Sequence, residues 1–419
     1  MAKKKREKPQ RILTPHQISH WEQQKKRQRI ILMTGIFVIV AALAIVIVGW
    51  YLGQYKPLRE TIIKVNNTEF TMDYYVEMLK IEGSYPQTPD VSYVADSVLQ
   101  NIPRNELIRQ GALELGISVT DEEVKKALKD NDLPDKEAYR DLVRHQLLTE
   151  RLLDVHFDPQ VPLFAEQRQV MAMMLESESQ ALDVTSKLVS GDDFSELAEE
   201  MSLEPFSRNK GGDFGWVPRT ILLEMLPASI VNAIFDHEVG ELSQPIYDEE
   251  AEKFVGYWLV EVLERDEDEE EAHIQIMLLG SEEEALNVRS QLEASAEWGS
   301  LAVERSQAKG VKENKGEWLV SPGEMNPLVD VYAFNPDTEI GAISEPIRDE
   351  DITTKGGYWL IKILDEDTNR RIDTAYRDYL KSKALDEWVA SLVDDEDNEI
   401  VNYLDAEKKS WAIKQAARG

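Results

Sequence analysis

The sequence predicts an α+β multidomain chain: an N-terminal transmembrane helix, a mainly α-helical domain, and two tandem α/β modules. Three observations carry that reading. The phrase Gly256-Tyr-Trp-Leu-Val-Glu-Val-Leu-Glu264 returns 101 positions later as Gly357-Tyr-Trp-Leu-Ile-Lys-Ile-Leu-Asp365, and an echo of this length marks one supersecondary unit built twice. Gly240-Glu-Leu-Ser-Gln-Pro-Ile246 answers in the same order to Gly341-Ala-Ile-Ser-Glu-Pro-Ile347, Phe235 to Phe334, and the block Ala172–Ala181 to Ile276–Ala285. Ile30 to Leu52 run 23 residues without a charge. The segment before the repeats, and the one after them, place apolar residues at helical spacing.

Residues 1–29 form a basic tail holding ten of the 47 Lys/Arg and only two of the 79 Asp/Glu. The apolar run of residues 30–52 is long enough for a hydrocarbon core of about 30 Å at about 1.5 Å per residue. Trp50 and Tyr51 sit where an interfacial aromatic belt lies, and the basic flank predicts a cytoplasmic N-terminus with the rest extracytoplasmic. The run exceeds a signal-peptide h-region, and the bulky Gly49-Trp-Tyr-Leu-Gly-Gln-Tyr55 offers no small-x-small cleavage site, which favours an uncleaved anchor in the cell membrane. Outside the tail, 37 basic face 77 acidic residues, a net charge of −40. Such a surface repels phosphates, so nucleic acid is excluded as a partner. The absence of Cys removes disulfides, thiol catalysis and zinc–thiolate sites. The acidic run Asp266-Glu-Asp-Glu-Glu-Glu271 reads as a solvated linker, since it lacks the spaced ligands and turn glycine of a calcium loop.

Residues 53–162 open with Thr61–Thr71, a short hairpin turning at Asn66-Asn67. Thr71 is placed to cap a helix carrying Tyr74, Tyr75, Met78 and Leu79. Val94, Val98, Ile102, Leu107, Ile108, Ala112 and Leu115 predict helix interrupted near Pro103, stopped by Gly116. Thr120-Asp-Glu-Glu123 has capping-box spacing, and Leu142 to Leu153 line a further helix. This order, with Gly116-Ile-Ser-Val-Thr-Asp-Glu-Glu-Val124 and Tyr139-Arg-Asp-Leu-Val-Arg-His-Gln-Leu-Leu148, resembles the N-terminal chaperone domain of the SurA/PrsA/PpiD foldase group. The resemblance implies that the helical C-terminal segment, residues 370–419, returns to pack on that domain.

Each repeated unit reads as strand, helix, break, helix, glycine turn, helix and strand, with Phe254–Leu263 the last strand of the first unit and a mixed sheet covered by helices. The first unit, residues 166–265, carries Gly191-x-x-Phe194, Leu197-Ala198, Ser202, Gly211-Gly-Asp-Phe-Gly-Trp216, Phe235, Gly240-Glu-Leu-Ser243 and Pro245. It resembles the parvulin family of peptidyl-prolyl cis/trans isomerases. The second, residues 272–365, is more decayed: its loop keeps only Lys315-Gly-Glu-Trp-Leu319. By that resemblance the loop acid falls on Glu204, the candidate catalytic group. The proline-binding positions fall on Leu226 (or Met225, across a one-residue insertion), Ile230 and Phe235 in the first unit and on Met325, Val329 and Phe334 in the second, with Trp258 and Trp359 as further candidate substrate-binding residues. The strand histidine falls on Ala172 and Ile276, and the histidine of the Gly-Tyr-His phrase on Trp258 and Trp359, so both imidazoles are missing from both copies.

Rotation about a peptide bond faces a barrier of about 18–20 kcal/mol, and X-Pro exchange takes tens to hundreds of seconds. A twisted amide has lost resonance, so an apolar cradle with fixed polar groups favours it without nucleophile, metal or cofactor. The resemblance therefore implies a foldase that isomerises X-Pro segments of unfolded or exported polypeptides, mainly in the first unit. The alternative is an inactive holdase using both units as peptide clamps. As ordinary structure, Glu204 is a solvated loop carboxylate, the pocket residues are core, and Trp258 and Trp359 fill volume while each indole N–H requires an acceptor. The sequence leaves the oligomeric state open.

Overall fold

The computed structural model describes residues 15–85, 88, 90–266 and 270–418. Most of the basic tail's first half and residues 267–269 of the acidic linker lie outside that range. The chain divides into two compact units, Met1–Val161 with Leu380–Gly419, and Pro162–Tyr379.

The first unit begins with the helix Pro15–Trp50. The stretch Leu32–Leu58, 27 residues, is long and apolar enough to cross a membrane, and its most apolar window is buried against nothing in the chain. Strands β1 (Thr61–Val65) and β2 (Thr68–Thr71) form the hairpin, turned by Asn66 at φ 52°, a conformation asparagine tolerates. The C-terminal strand Ile400–Asn402 pairs with the other edge of β1, Ile63 opposite Asn402. Thr71 caps the helix Met72–Gly83, and the Thr120–Glu123 capping box closes in both directions.

One expectation fails here: the helix Ala95–Glu114 runs through Pro103 without a break. Proline removes one main-chain bond, but burial of Val98, Ile102, Leu107 and Ile108 on one face holds the helix together. The C-terminal segment does return. Ala412 and Ala416 join the core of Ile62, Tyr75, Leu79 and Leu107, and Leu385 and Val389 pack with Ile108, Leu148, Leu152 and Phe157.

The second unit holds two four-stranded sheets. Its strands are β3 (Phe164–Leu175), β4 (Asp213–Pro218), β5 (Ile246–Lys253), β6 (Gly256–Asp266), β7 (Glu271–Leu279), β8 (Glu317–Val320), β9 (Ile347–Asp349) and β10 (Thr354–Arg371). The sheet orders are β4-β3-β10-β5 and β8-β7-β6-β9. The ladders are antiparallel rather than mixed, and among the described residues parallel pairing is confined to the single bridge Val239–Ile363.

These orders show strands exchanged between the two repeats. Residues 166–265 and 272–365 are the repeating sequences, but neither folds as a closed body, because they exchange their last strands. β10 lies between β3 and β5, with Trp359 opposite Met174 and Ile361 opposite Ala172. β6 lies between β7 and β9, with Trp258 opposite Leu278 and Val260 opposite Ile276. The strands carry the same Gly-Tyr-Trp-Leu phrase, so each satisfies the alternation the other sheet needs. The body built on β3, β4, β5 and β10 is called lobe A below, and that on β7, β8, β9 and β6 lobe B.

The repeated Gly-x-x-Ser phrase fastens each exchanged strand. In lobe A the N–H of Ser243 donates to the Ile361 carbonyl while its Oγ accepts from the Ile361 N–H, both at 2.9 Å. In lobe B, Ser344 does the same with Val260, at 2.8 and 2.9 Å.

The crossing point is polar. Tyr257 donates to the Glu176 carboxylate at 3.1 Å, and Arg348 donates to the Tyr257 hydroxyl at 2.5 Å. Lys253, the last residue of β5, is 2% exposed and donates to the carbonyls of Gly356 and Glu176. Burial lowers its pKa to about 8. The unfolded chain holds that proton up to the ordinary value near 10.5. Between those limits the unfolded state binds more protons, so stability rises with pH across that window, by up to about 3 kcal/mol. Below it both states are protonated and the group adds no slope. Thermal melts stepped from pH 8 to 9.5 should therefore rise for the native chain and flatten for Lys253→Met.

Candidate active site

In lobe A the helix Ala228–Asp236 packs on β3, β5 and β10. Strand alternation turns Val170, Ala172 and Met174 of β3, with Trp359, Ile361 and Ile363 of β10, toward that helix. The two positions where the family places histidines are thus neighbours on one face, as aligned, but they hold Ala172 (0% exposed) and Trp359 (3%). Leu226 and Ile230 are buried above them, and Phe235 is half-buried at the helix end.

The exchange regroups the tryptophans. Trp258, aligned with the first unit, packs with Val329, Met325 and Phe334 in lobe B, whereas Trp359 serves lobe A. Each lobe's apolar site is therefore built from both repeats. The indole N–H of Trp258 donates to Asp349 Oδ2 at 2.9 Å, and the Asn326 amide donates to the same oxygen at 2.8 Å. The Trp359 indole N–H has no such partner.

Glu204 is not the solvated carboxylate expected of a loop acid. It is 5% exposed and accepts from the Phe206 N–H at 2.9 Å and from the Ser207 N–H and Oγ, each at 2.6 Å. Ser207 Oγ also lies 3.5 Å from the Ala172 carbonyl, so the acid is held beside the first vacant histidine position. Ser202 Oγ accepts from the Met174 and Glu204 N–H groups, both at 3.2 Å. Ser306 repeats that arrangement in lobe B with Leu278 and Ala308, where Ala308 replaces the acid.

The glycine turn is sterically required. A Cβ on Gly212, at φ +79°, would stand 2.8 Å from the Ala172 carbonyl, and one on Gly316, at φ +84°, 2.7 Å from that of Ile276. The decayed loop of the second repeat keeps this glycine and gives up the preceding one, where Lys315 takes φ 58°.

The sequence reading missed the arginines around Phe235. The guanidinium groups of Arg168 and Arg219 lie over its ring, 5.5 and 5.1 Å from the centroid. Arg168 also donates to the Phe235 carbonyl at 3.2 Å and pairs with Glu366 of the exchanged strand and Glu166. In lobe B, Arg265 of β6 donates twice to the Ala333 carbonyl, at 3.0 and 2.7 Å. A cation at a helix C-terminus complements its dipole, and here it also fixes the end of the helix that carries the aromatic. The available signal was Arg168 itself, a cation in a strand otherwise turning apolar.

The family described as the PPIC-type PPIASE domain (rotamase) matches residues 165–264 and 265–365, and the SurA-like N-terminal domain matches residues 22–155. The chain carries two PPIC-type PPIASE domains behind a SurA-like N-terminal domain. Among curated relatives, it is 25% identical over 243 residues to the foldase protein PrsA of Caldanaerobacter subterraneus subsp. tengcongensis, covering 50% of this chain and 78% of that one. It is 37% identical over 57 residues to the periplasmic chaperone PpiD of Buchnera aphidicola, covering 14% of this chain and 9% of that one. Among solved structures it is similar to PrsA from Bacillus cereus, with 14% identity, a TM-score of 0.29, and 86% and 99% of the two chains covered. In this chain the boundary between the two matched domains falls within β6, the strand that crosses between lobes.

Proposed function

We propose that the chain is a membrane-anchored foldase that isomerises X-Pro bonds of exported polypeptides in lobe A, with its folded units outside the cytoplasm and its basic tail inside. The half-buried Phe235 carries this reading. It is the half-buried aromatic at the end of the helix that carries the buried Ile230, and we take Ile230 with the buried Leu226 and Trp359 as the apolar floor. A prolyl ring against that floor, with its amide twisting toward the loop that Glu204 holds, needs no proton transfer. Lobe B offers Met325, Val329 and Phe334 as a second cradle.

The experiment is proline-limited refolding of a client by the full chain in detergent. Phe235→Ala should reduce the acceleration by about tenfold or more, the loss of roughly 1.4 kcal/mol of transition-state stabilisation, with the melting temperature measured in parallel. The absence of acceleration by the native chain sinks the enzymatic reading. A specific observation favours a holdase instead: neither lobe has an imidazole at the sheet positions, and two guanidinium groups already lie over Phe235. A holdase suppresses client aggregation in the same preparation while leaving the slow proline phase unchanged.

A further inference from the structure

Lobe A carries a second groove, separate from Phe235. Gln169 and Trp216 are paired across β3 and β4, and by alternation both face away from the side that Val170 and Ala172 turn to the helix Ala228–Asp236. A cavity of about 450 Å³ opens there, lined among others by Phe214, Trp216, Gln167, Arg370, Arg371 and the carboxylate-bearing Asp373. Gln167 is 1% exposed, and its amide donates to the Arg370 carbonyl at 3.0 Å, fixing the end of β10 as one wall. The Arg370 guanidinium stacks 4.1 Å from the Trp216 ring centroid.

The charges of this groove are unusual for the chain. Among the described residues neither Arg370 nor Arg371 takes part in an ion pair, although the chain's net charge is −32. The neighbouring acids keep their charge but form no ion pair with either arginine. Asp213 accepts from the Gly215 N–H, Asp367 from that of Asn369 and Asp373 from that of Ala375, while Glu366 pairs with Arg168. β4 is also the outermost strand of its sheet. The groove thus combines two guanidinium groups outside any ion pair against one carboxylate, an aromatic wall and an edge strand.

We infer that this groove binds an extended acidic polypeptide segment, with carboxylates on Arg370 and Arg371, main chain along the outer edge of β4, and apolar side chains against Phe214 and Trp216. Guanidinium forks match carboxylates, and edge addition supplies main-chain hydrogen bonds while side chains give selectivity. The acidic surface beyond the groove disfavours a polyanion and leaves a short acidic stretch of peptide as the occupant. This site does not depend on isomerase activity.

The test is fluorescence anisotropy of a labelled, proline-free peptide of alternating Asp and Val with the full chain in detergent, at about 0.15 M salt to screen long-range repulsion. Saturable binding is expected, weakened about tenfold or more by Asn in place of Asp, and as much by Arg370→Gln with Arg371→Gln. Proline-limited refolding should be unchanged in that double variant. Should the double variant lose its cooperative melt, Arg371→Gln alone carries the test, because that side chain is exposed. Equal affinity for the Asp and Asn peptides, insensitivity to the arginine changes, or equally tight binding of oligothymidylate overturns the assignment.

Discussion

Met171→Cys combined with Lys362→Cys will close a disulfide within one chain under mild oxidation, whereas Met171→Cys combined with Glu261→Cys will not. Met171 is paired with Lys362 of β10, while Glu261, the repeat counterpart of Lys362, is paired with Gln275 in the other lobe. Opposed residues of an antiparallel pair have Cα atoms about 4.5–5.5 Å apart, inside the span of about 4.4–6.8 Å that a disulfide accepts. The chain contains no cysteine, so each pair reports without background. Mass spectrometry of the cross-linked peptides reads the outcome directly. Closure of the Glu261 pair would mean that each repeat keeps its own strand, and the lobes would have to be redrawn as two independent domains. A cross-link between chains would move the exchange to an assembly of two copies.

The exchange was illegible for the same reason that the repeat was legible. Near-identical strand phrases announce duplication, but identical patterns cannot say which sheet each strand enters. Phe254 and Val255, read from the sequence as the start of the strand Phe254–Leu263, are instead the link between β5 and β6. Here the chain runs on into the other lobe, where Val255 is fully buried. Features set by local chemistry were readable: the capping box at Thr120, the cap at Thr71 and the Gly212 turn each rest on a few neighbouring atoms. Pro103 was misread because burial of the helix face, a tertiary effect, outweighs one missing hydrogen bond. At the candidate site the apolar positions were carried over from the family resemblance. Their assortment between lobes, and the arginines over Phe235, depend on contacts between residues far apart in sequence.

Glu204→Ala should destabilise the folded second unit by about 3 kcal/mol or more, seen as a lower melting temperature. Three donors converge on this carboxylate: the Phe206 N–H, the Ser207 N–H and the Ser207 hydroxyl. Hydrogen bonds to a charged acceptor contribute about 1.5–3 kcal/mol each, and a buried donor left without a partner costs about 1–3 kcal/mol. The hydroxyl can rotate to another acceptor, but the two main-chain donors cannot. For a body of this size the fall corresponds to roughly 2–4 °C per kcal/mol. Glu204→Gln should lie between the native chain and the alanine variant, because the amide keeps one acceptor but turns an NH₂ toward a donor. A carboxylate whose task is chemical would behave differently, with refolding acceleration lost at an unchanged melting temperature. Loss of both together in the alanine variant, with partial recovery of both in the glutamine variant, would mark Glu204 as the residue that holds the Ser202–Gly212 loop in place. Lobe B has Ala308 at this position and closes its glycine turn without a carboxylate. The acid is therefore not required by the fold in general, but by the particular loop, Pro205-Phe-Ser207, that lobe A places beside Ala172.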